Sequence, residues 1–280
     1  MGRIGFLPVL GTMKACEMPR LRKLMLSEND LTPSLCVLLV SVLNSNEELI
    51  VNELDLSDNQ ISDGGCGAIA NFLAFSNEEY IDEEINTLNI ASNDIGPKSL
   101  GRLFYSLNMN LSLTYLNISR NMVGKEGVHS LNEMLGSNKA LQHLVLQDVG
   151  IDDTCIGEIT ENLAKNKSLI SLDLAKNAIL SSGAVKLCEA LLGNSELLML
   201  SLAACQIDAK AGPILADLVM NTKALEDLNL SSNPLGDTAV LALNLATTRQ
   251  KNSSMGIMLS LQNCSGGARR GDQSGGIKKS

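Results

Sequence analysis

The chain has 280 residues, 45% of them apolar, but only four Phe, three Tyr and no Trp, so its core must be aliphatic. The longest apolar run, residues 35–43, falls well short of the roughly 18 to 20 residues that cross a bilayer, which excludes an integral helical membrane protein. The net charge of −9 is unevenly spread: residues 1–25 carry five basic and one acidic side chain, residues 265–280 four and one, leaving −16 on residues 26–264. That acidic body speaks against a nucleic-acid partner, whose phosphates need Lys and Arg along the contact face, and favours a protein with a basic surface.

In chain order, the stretch from Gly5 to Lys14 reads as the helix of an incomplete preceding repeat, so residues 1–18 are either a partial repeat of a longer solenoid or an N-terminal cap. Phe6 stands where a myristoylation signal needs Ser or Thr, and Phe6 to Leu10 is too short for a secretory core. At Leu21 the pattern L-x-x-L-x-L-x-x-N-x-L begins, with Leu24, Leu26, Asn29 and Leu31 in register, and eight further copies follow through residue 264. Their fourth-position residues are Leu54, Leu88, Leu116, Leu144, Leu172, Leu200, Leu228 and Leu259, spaced by 28 residues from Leu88 to Leu228.

Eleven residues after that leucine stands a small side chain, among them Gly65, Ser99, Gly127, Cys155 and Gly183; aliphatic positions follow four and eight residues further on. Those spacings predict a short strand, a turn and an amphipathic helix in every repeat. A single unit cannot bury its apolar side alone. Residues 19–264 are therefore expected to form an α/β solenoid, a horseshoe with a parallel concave β-sheet and helices on the convex side. Asn46, Asn110, Asn138, Asn166 and Asn194 mark the helix ends, where Asn is expected because it tolerates a left-handed terminus. Residues 265–280, rich in Gly, Ser and charge, are expected to be a disordered tail.

With these repeats the chain resembles the ribonuclease-inhibitor-like leucine-rich-repeat family, which also includes tropomodulin, Ran GTPase-activating proteins, cytosolic innate-immune sensors and axonemal proteins. The resemblance implies a structural ladder along the turns formed by Asn29, Asn59, Asn93, Asn121, Asn177 and Asn233, with Cys205 and Cys264 as accepted replacements. Val149 cannot hydrogen-bond at that position, so a local irregularity is expected in the turn from Gln147 to Gly150.

No catalytic constellation stands out. His129 falls on a predicted helix and His143 on a strand, too far apart for a shared metal site; the seven cysteines form no CxxC pair, which fits a reducing, cytoplasmic compartment. There is no P-loop, dinucleotide fingerprint or nucleophile elbow, and the pair Asp152-Asp153 reads as a helix cap. Neither cofactor nor metal is expected, and the chain is read as a non-enzyme.

By strand alternation, positions 3, 5, 7 and 8 of each repeat face the concave side. Anchors of the kind that dominate protein contacts occur in the middle repeats: Tyr115, Arg120, His143, Val145 and Asp148. A secondary docking loop for a basic partner is read in the longer second repeat, with Tyr80 among the acids Glu79, Asp82, Glu83 and Glu84. The expected function is an intracellular protein-interaction scaffold, as a monomer or as a subunit of a larger complex. Two other readings stand beside it: an activator of a small GTPase, implied by the family and resting here on Arg120 and Lys176 beside the ladder, and the ligand-sensing region of a larger immune-type, ciliary or cytoskeletal protein.

Overall fold

The computed structural model describes residues 3–15, 21–46, 49–74, 84–250 and 256–265. Helix and strand alternate along them: α1 (Arg3–Lys14), β1 (Lys23–Met25), α2 (Pro33–Ser45), β2 (Glu53–Asp55), α3 (Ser62–Leu73), β3 (Thr87–Asn89), α4 (Pro97–Ser106), β4 (Tyr115–Asn117) and α5 (Gly124–Ser137). Then come β5 (His143–Val145), α6 (Asp153–Lys165), β6 (Ser171–Asp173), α7 (Leu180–Leu191), β7 (Met199–Ser201), α8 (Gly212–Asn221), β8 (Asp227–Asn229), α9 (Gly236–Arg249) and β9 (Met258–Ser260). All nine strands lie in one parallel sheet in sequence order, as a solenoid requires.

The register follows from the leucines. Leu24, Leu54, Leu88, Leu116, Leu144, Leu172, Leu200, Leu228 and Leu259 form one continuous row. All but Leu259 are buried, each Leu contributing about 1.5–3 kcal/mol by leaving water. Helices cover this side of the sheet, while the opposite side remains uncovered, so a parallel sheet that is usually buried twice here keeps one open face. The small residue before each helix core marks close approach. A Cβ on Gly65 would stand 3.0 Å from that of Cys36, and one on Gly183 would stand 3.1 Å from the Cα of Asp153.

The repeats alternate between two turn types. In the first, third, fifth and seventh, the tenth position has positive φ (Asp30, Asp94, Gly150, Gln206); in the second, fourth, sixth and eighth, it is the twelfth (Ser62, Gly124, Leu180, Gly236). Odd-repeat helical segments start from an extended residue, where Thr32 caps α2, Asp152 caps α6 and Asp208 caps the 3-10 turn Ala209–Ala211 that leads into α8, whereas even-repeat helices have no side-chain cap.

This alternation divides the work of the ladder. Each even-repeat Asn bridges to the preceding odd repeat: Asn59 Oδ1 accepts from Asn29 and Leu31, Asn121 from Asn93 and Ile95, Asn177 from Val149 and Ile151, and Asn233 from Cys205 and Ile207. In the other direction the odd repeat mainly supplies its backbone carbonyl, as in Ser62 N–H to Asn93 O, Val123 N–H to Val149 O and Leu180 N–H to Cys205 O.

The irregularity expected around Val149 is absent from the backbone dihedrals and confined to hydrogen bonding: the preceding repeat donates to Val149 O from Val123, its eleventh position, where the other even repeats donate from their twelfth. Asp148 and Gly150 have φ of 53° and 75°, matching the other odd turns, and Val149 is buried with both its backbone groups bonded. An odd-repeat side chain at this position adds a donor to the preceding strand, as Cys205 Sγ does to Leu174 O and Cys264 Sγ to Leu230 O. The corresponding carbonyl of Ile118 already accepts from Asn121 Nδ2, so a valine leaves nothing orphaned.

A second correction concerns the helix ends. Asn46, Asn138 and Asn166 are extended, with φ between −60° and −117°, and none of the five terminal asparagines has positive φ. They form a second ladder instead. Asn138 Nδ2 donates to Leu107 O at 2.6 Å while its Oδ1 accepts from Ala140 and Leu141; Asn110, Asn166 and Asn194 repeat the arrangement. Asn46 joins it by donating to Met13 O, tying α1 to the stack, where Leu10 and Met13 are buried. Among the described residues no buried side-chain nitrogen or oxygen lacks a partner. Most of the acidic loop, Glu79 to Glu83, and the tail from residue 266 lie outside the described residues.

Candidate functional site

The open face of the sheet is built from two rows of alternating strand positions. One row runs Lys23, Glu53, Thr87, Tyr115, His143, Ser171, Met199, Asp227, Met258; the other runs Met25, Asp55, Asn89, Asn117, Val145, Asp173, Ser201, Asn229, Ser260. In the second row most residues serve the fold. Asp55, Asn89, Asn117, Asp173 and Asn229 each accept from the backbone N–H two residues on, closing the turn that leaves the strand.

Val145 cannot make that bond, and the ladder position four residues later is the buried Val149. The missing acceptor at Val145 is replaced from outside the repeat, because Gln147 N–H donates to Ser119 Oγ at 3.3 Å. Gln147 Nε2 in turn donates to Asp173 Oδ2 at 2.6 Å. In the fifth repeat an apolar side chain thus takes an open-face position that Asp or Asn holds in five other strands.

The structure brings Tyr115 and His143 together: their rings are tilted by 37° with centroids 6.2 Å apart. Val145 follows two residues after His143 on the same face. Arg120 and Asp148 stand apart from this cluster, in equivalent left-handed turn positions of neighbouring repeats (φ 55° and 53°), and both are exposed at the rim. Asp173 and Asp55 were not singled out by sequence reasoning, although their acidic character in the strand row was the signal. Burial, followed by the Asp173 and Asp55 carboxylates, pushes the Tyr115 phenol above its ordinary value and keeps it a neutral donor. At the start of the face, Lys23 and Glu53 form an ion pair of 2.7 Å.

Other titratable groups are accounted for by the scaffold. His129 lies on the convex surface between Glu158, at 3.1 Å, and Glu133, at 3.7 Å. Burial pushes the thiols of Cys36, Cys66 and Cys188 up to about 12 and that of Cys205 to about 11, so they stay protonated and unreactive. No cluster of three His, Cys, Asp or Glu side chains among the described residues could hold a metal ion, and none of the described helices is long and apolar enough to cross a membrane. Glu84, the one described acid of the proposed docking loop, accepts through its backbone carbonyl from Asn52 Nδ2 at 3.0 Å.

Asp152 is the N-cap of α6, accepting from Thr154 and Cys155. The Thr154 hydroxyl foremost, then the Cys155 N–H, hold its carboxyl at about 2, below the ordinary 3.8. Because the folded value is depressed, the cap's contribution is present above the unfolded value and is lost as the pH falls through about 2. Replacing Asp152 by Ala is expected to cost about 1 kcal/mol near neutral pH. Urea denaturation of both proteins at falling pH should show the difference shrinking; a constant difference would refute this account.

A leucine-rich-repeat family model matches four segments, residues 51–70, 110–131, 165–188 and 224–243. The chain contains leucine-rich repeats. The four matched leucine-rich repeats are the even-numbered ones, from β2, β4, β6 and β8 into the helices that follow, and they contain the bridging Asn59, Asn121, Asn177 and Asn233. Among solved structures the chain is similar to "Leiomodin-1 Actin-Binding Site 2 (ABS2)", at 20% identity over 61% of this chain and 86% of that one, with a TM-score of 0.38. It is also similar to the tropomodulin C-terminal domain of Caenorhabditis elegans, at 18% identity over 55% and 92%, with a TM-score of 0.43. No curated protein matches the chain.

Proposed function

We propose that this leucine-rich-repeat protein is a non-enzymatic interaction module that holds a protein partner on its concave face. The observation that carries the reading is the Tyr115–His143 pair on the middle strands of the open face, beside a repeat in which an apolar Val145 takes the place of the turn-closing acceptor. Arg120 and Asp148 extend this anchor to the rim. The carboxylates of Glu53, Asp55, Asp173 and Asp227 favour a partner with a basic surface. The acids of residues 79–84 provide a second docking segment of the same polarity. The six described cysteines are all free and buried, which supports a reducing, cytoplasmic setting. Residues 19–264 form the repeat unit, preceded by a cap or partial repeat and followed by a tail.

The test is affinity purification from the source cells with the wild type, Tyr115→Ala and Arg120→Glu. Both substitutions leave the buried rows intact and should change stability by less than about 1 kcal/mol. A partner recovered stoichiometrically with the wild type should be lost or weakened at least about tenfold with the variants. Equal recovery with all three proteins would place binding elsewhere.

A further inference from the structure

The convex side contains a groove that the concave-face reading does not use. It has a volume of about 900 Å³ and runs between α3, α4 and α5. Small residues, Ala70, Ala74 and Gly101, line it, and close approach of α4 to α5 keeps it in shape: a Cβ on Gly101 would stand 3.3 Å from Ser130 Oγ.

Its border is set by α4. That helix turns Leu100, Leu103, Phe104 and Leu107 into the core. Lys98, Arg102 and Tyr105, at i, i+4 and i+7, therefore share the outward face, and Met109 follows in the next turn. Tyr105 is 69% exposed and Met109 78%, unusual values for side chains of that size. Tyr, Met and Arg are the residue types enriched at interface centres. Among the described residues neither Lys98 nor Arg102 pairs with a carboxylate. Among the described residues that line the groove only Glu126 opposes them, so the charge of that lining is positive on a body that carries −16.

We propose that this groove is a second interaction surface that takes an acidic protein segment carrying an apolar anchor. The anchor side chain, Leu or Phe, lies on Ala70, Ala74 and Gly101 between Tyr105 and Met109, and flanking Asp or Glu side chains meet Arg102 and Lys98. The bidentate guanidinium of Arg102 gives the direction of the segment, and the ring of Tyr105 supplies rigid contact area at low entropic cost. Because the concave face selects the opposite charge, the protein can hold a basic and an acidic partner at once, on opposite sides of one sheet.

The probe is an acetylated octapeptide with Leu-Phe between two runs of Asp and Glu, together with its counterpart in which every acid is Lys. Each is titrated into the full, nitrogen-15-labelled chain while amide shifts are followed. The acidic peptide should perturb residues 70–74, 97–109 and 126–130 and leave the strand residues in place, and the basic peptide should not perturb this set. Arg102→Glu and Tyr105→Ala, both exposed and compatible with the fold, should each weaken binding at least about tenfold. Four results would overturn the proposal: no perturbation at peptide concentrations on the order of 1 mM, perturbation confined to the sheet, equal affinity in both variants, or a dimer in sedimentation that the same substitutions abolish. The last would assign the groove to a second copy of the chain.

Discussion

Replacing Asn177 by Leu is expected to destabilise the solenoid by about 3–5 kcal/mol, because two buried N–H groups lose their acceptor at about 1–3 kcal/mol each. The side chain is 2% exposed. Its Oδ1 holds the N–H groups of Val149 and Ile151, and its Nδ2 donates to the carbonyls of Leu146, Leu174 and Ala175. Leucine is close in volume and cannot make any of these bonds, so the loss is polar rather than a cavity. The matched control is Val149→Asn. It places the family residue at the equivalent site one repeat earlier, where, as at Asn93, its amide can donate to the preceding strand and accept from the preceding turn, groups that Asn121 and Val149 O already satisfy, and it should change stability by less than about 1 kcal/mol. Urea midpoints by circular dichroism decide the matter. Comparable effects at the two positions would mean that the odd and even ladder residues are equivalent, contrary to the division of labour described above.

Phe104→Ala should be of similar size, about 3–5 kcal/mol, as for other buried aromatic truncations. Phe104 is fully buried on the inward face of α4, in a core that otherwise relies on aliphatic side chains, and its neighbours Leu100, Leu103 and Leu107 are fixed by the strands below. In a stack whose units contact only their neighbours, the damage should spread to the adjoining repeats and appear as one broadened or stepped transition. A loss under about 1 kcal/mol would imply that α4 collapses onto the vacancy, which the 28-residue spacing on its C-terminal side would hardly permit.

The strands, their register and the inward face of each helix were legible from leucine spacing, since one mistake in period would have shown as a polar residue in the core. The two-step alternation was not, because it is encoded in backbone conformation at Asp30, Ser62, Asp94 and Leu180, where residues other than glycine adopt positive φ. For the same reason Val149 looked like a defect: the pattern marks which residue occupies a turn but not whether its side chain or its carbonyl does the bonding. The terminal asparagines were recognised at the right positions for the wrong reason. Asn138 and Asn166 are selected by hydrogen bonds between repeats that lie 28 residues apart, which local conformational preference cannot reveal. Of the concave residues, Tyr115 and His143 meet because strand pairing aligns them, whereas Arg120 and Asp148 follow the turn away from the sheet. The groove on α4 left a trace in sequence, an aromatic on the charged side of an amphipathic helix with a methionine just beyond its end, but that trace has no meaning until the core face is known.

The alternating turns also bear on how such a chain can change length. Each even repeat supplies an amide oxygen backwards and the odd repeats mainly a carbonyl, Asn93 Oδ1, which accepts from Ile61 N–H, being the exception. Excising the sixth repeat would set Val149 and Ile151 against Cys205, which has no oxygen in its side chain to receive them. Removing the fifth and sixth together would restore an unlike junction. Around Val149 and Cys205 the unit that can be lost without a mismatched junction is therefore the pair, about 56 residues long.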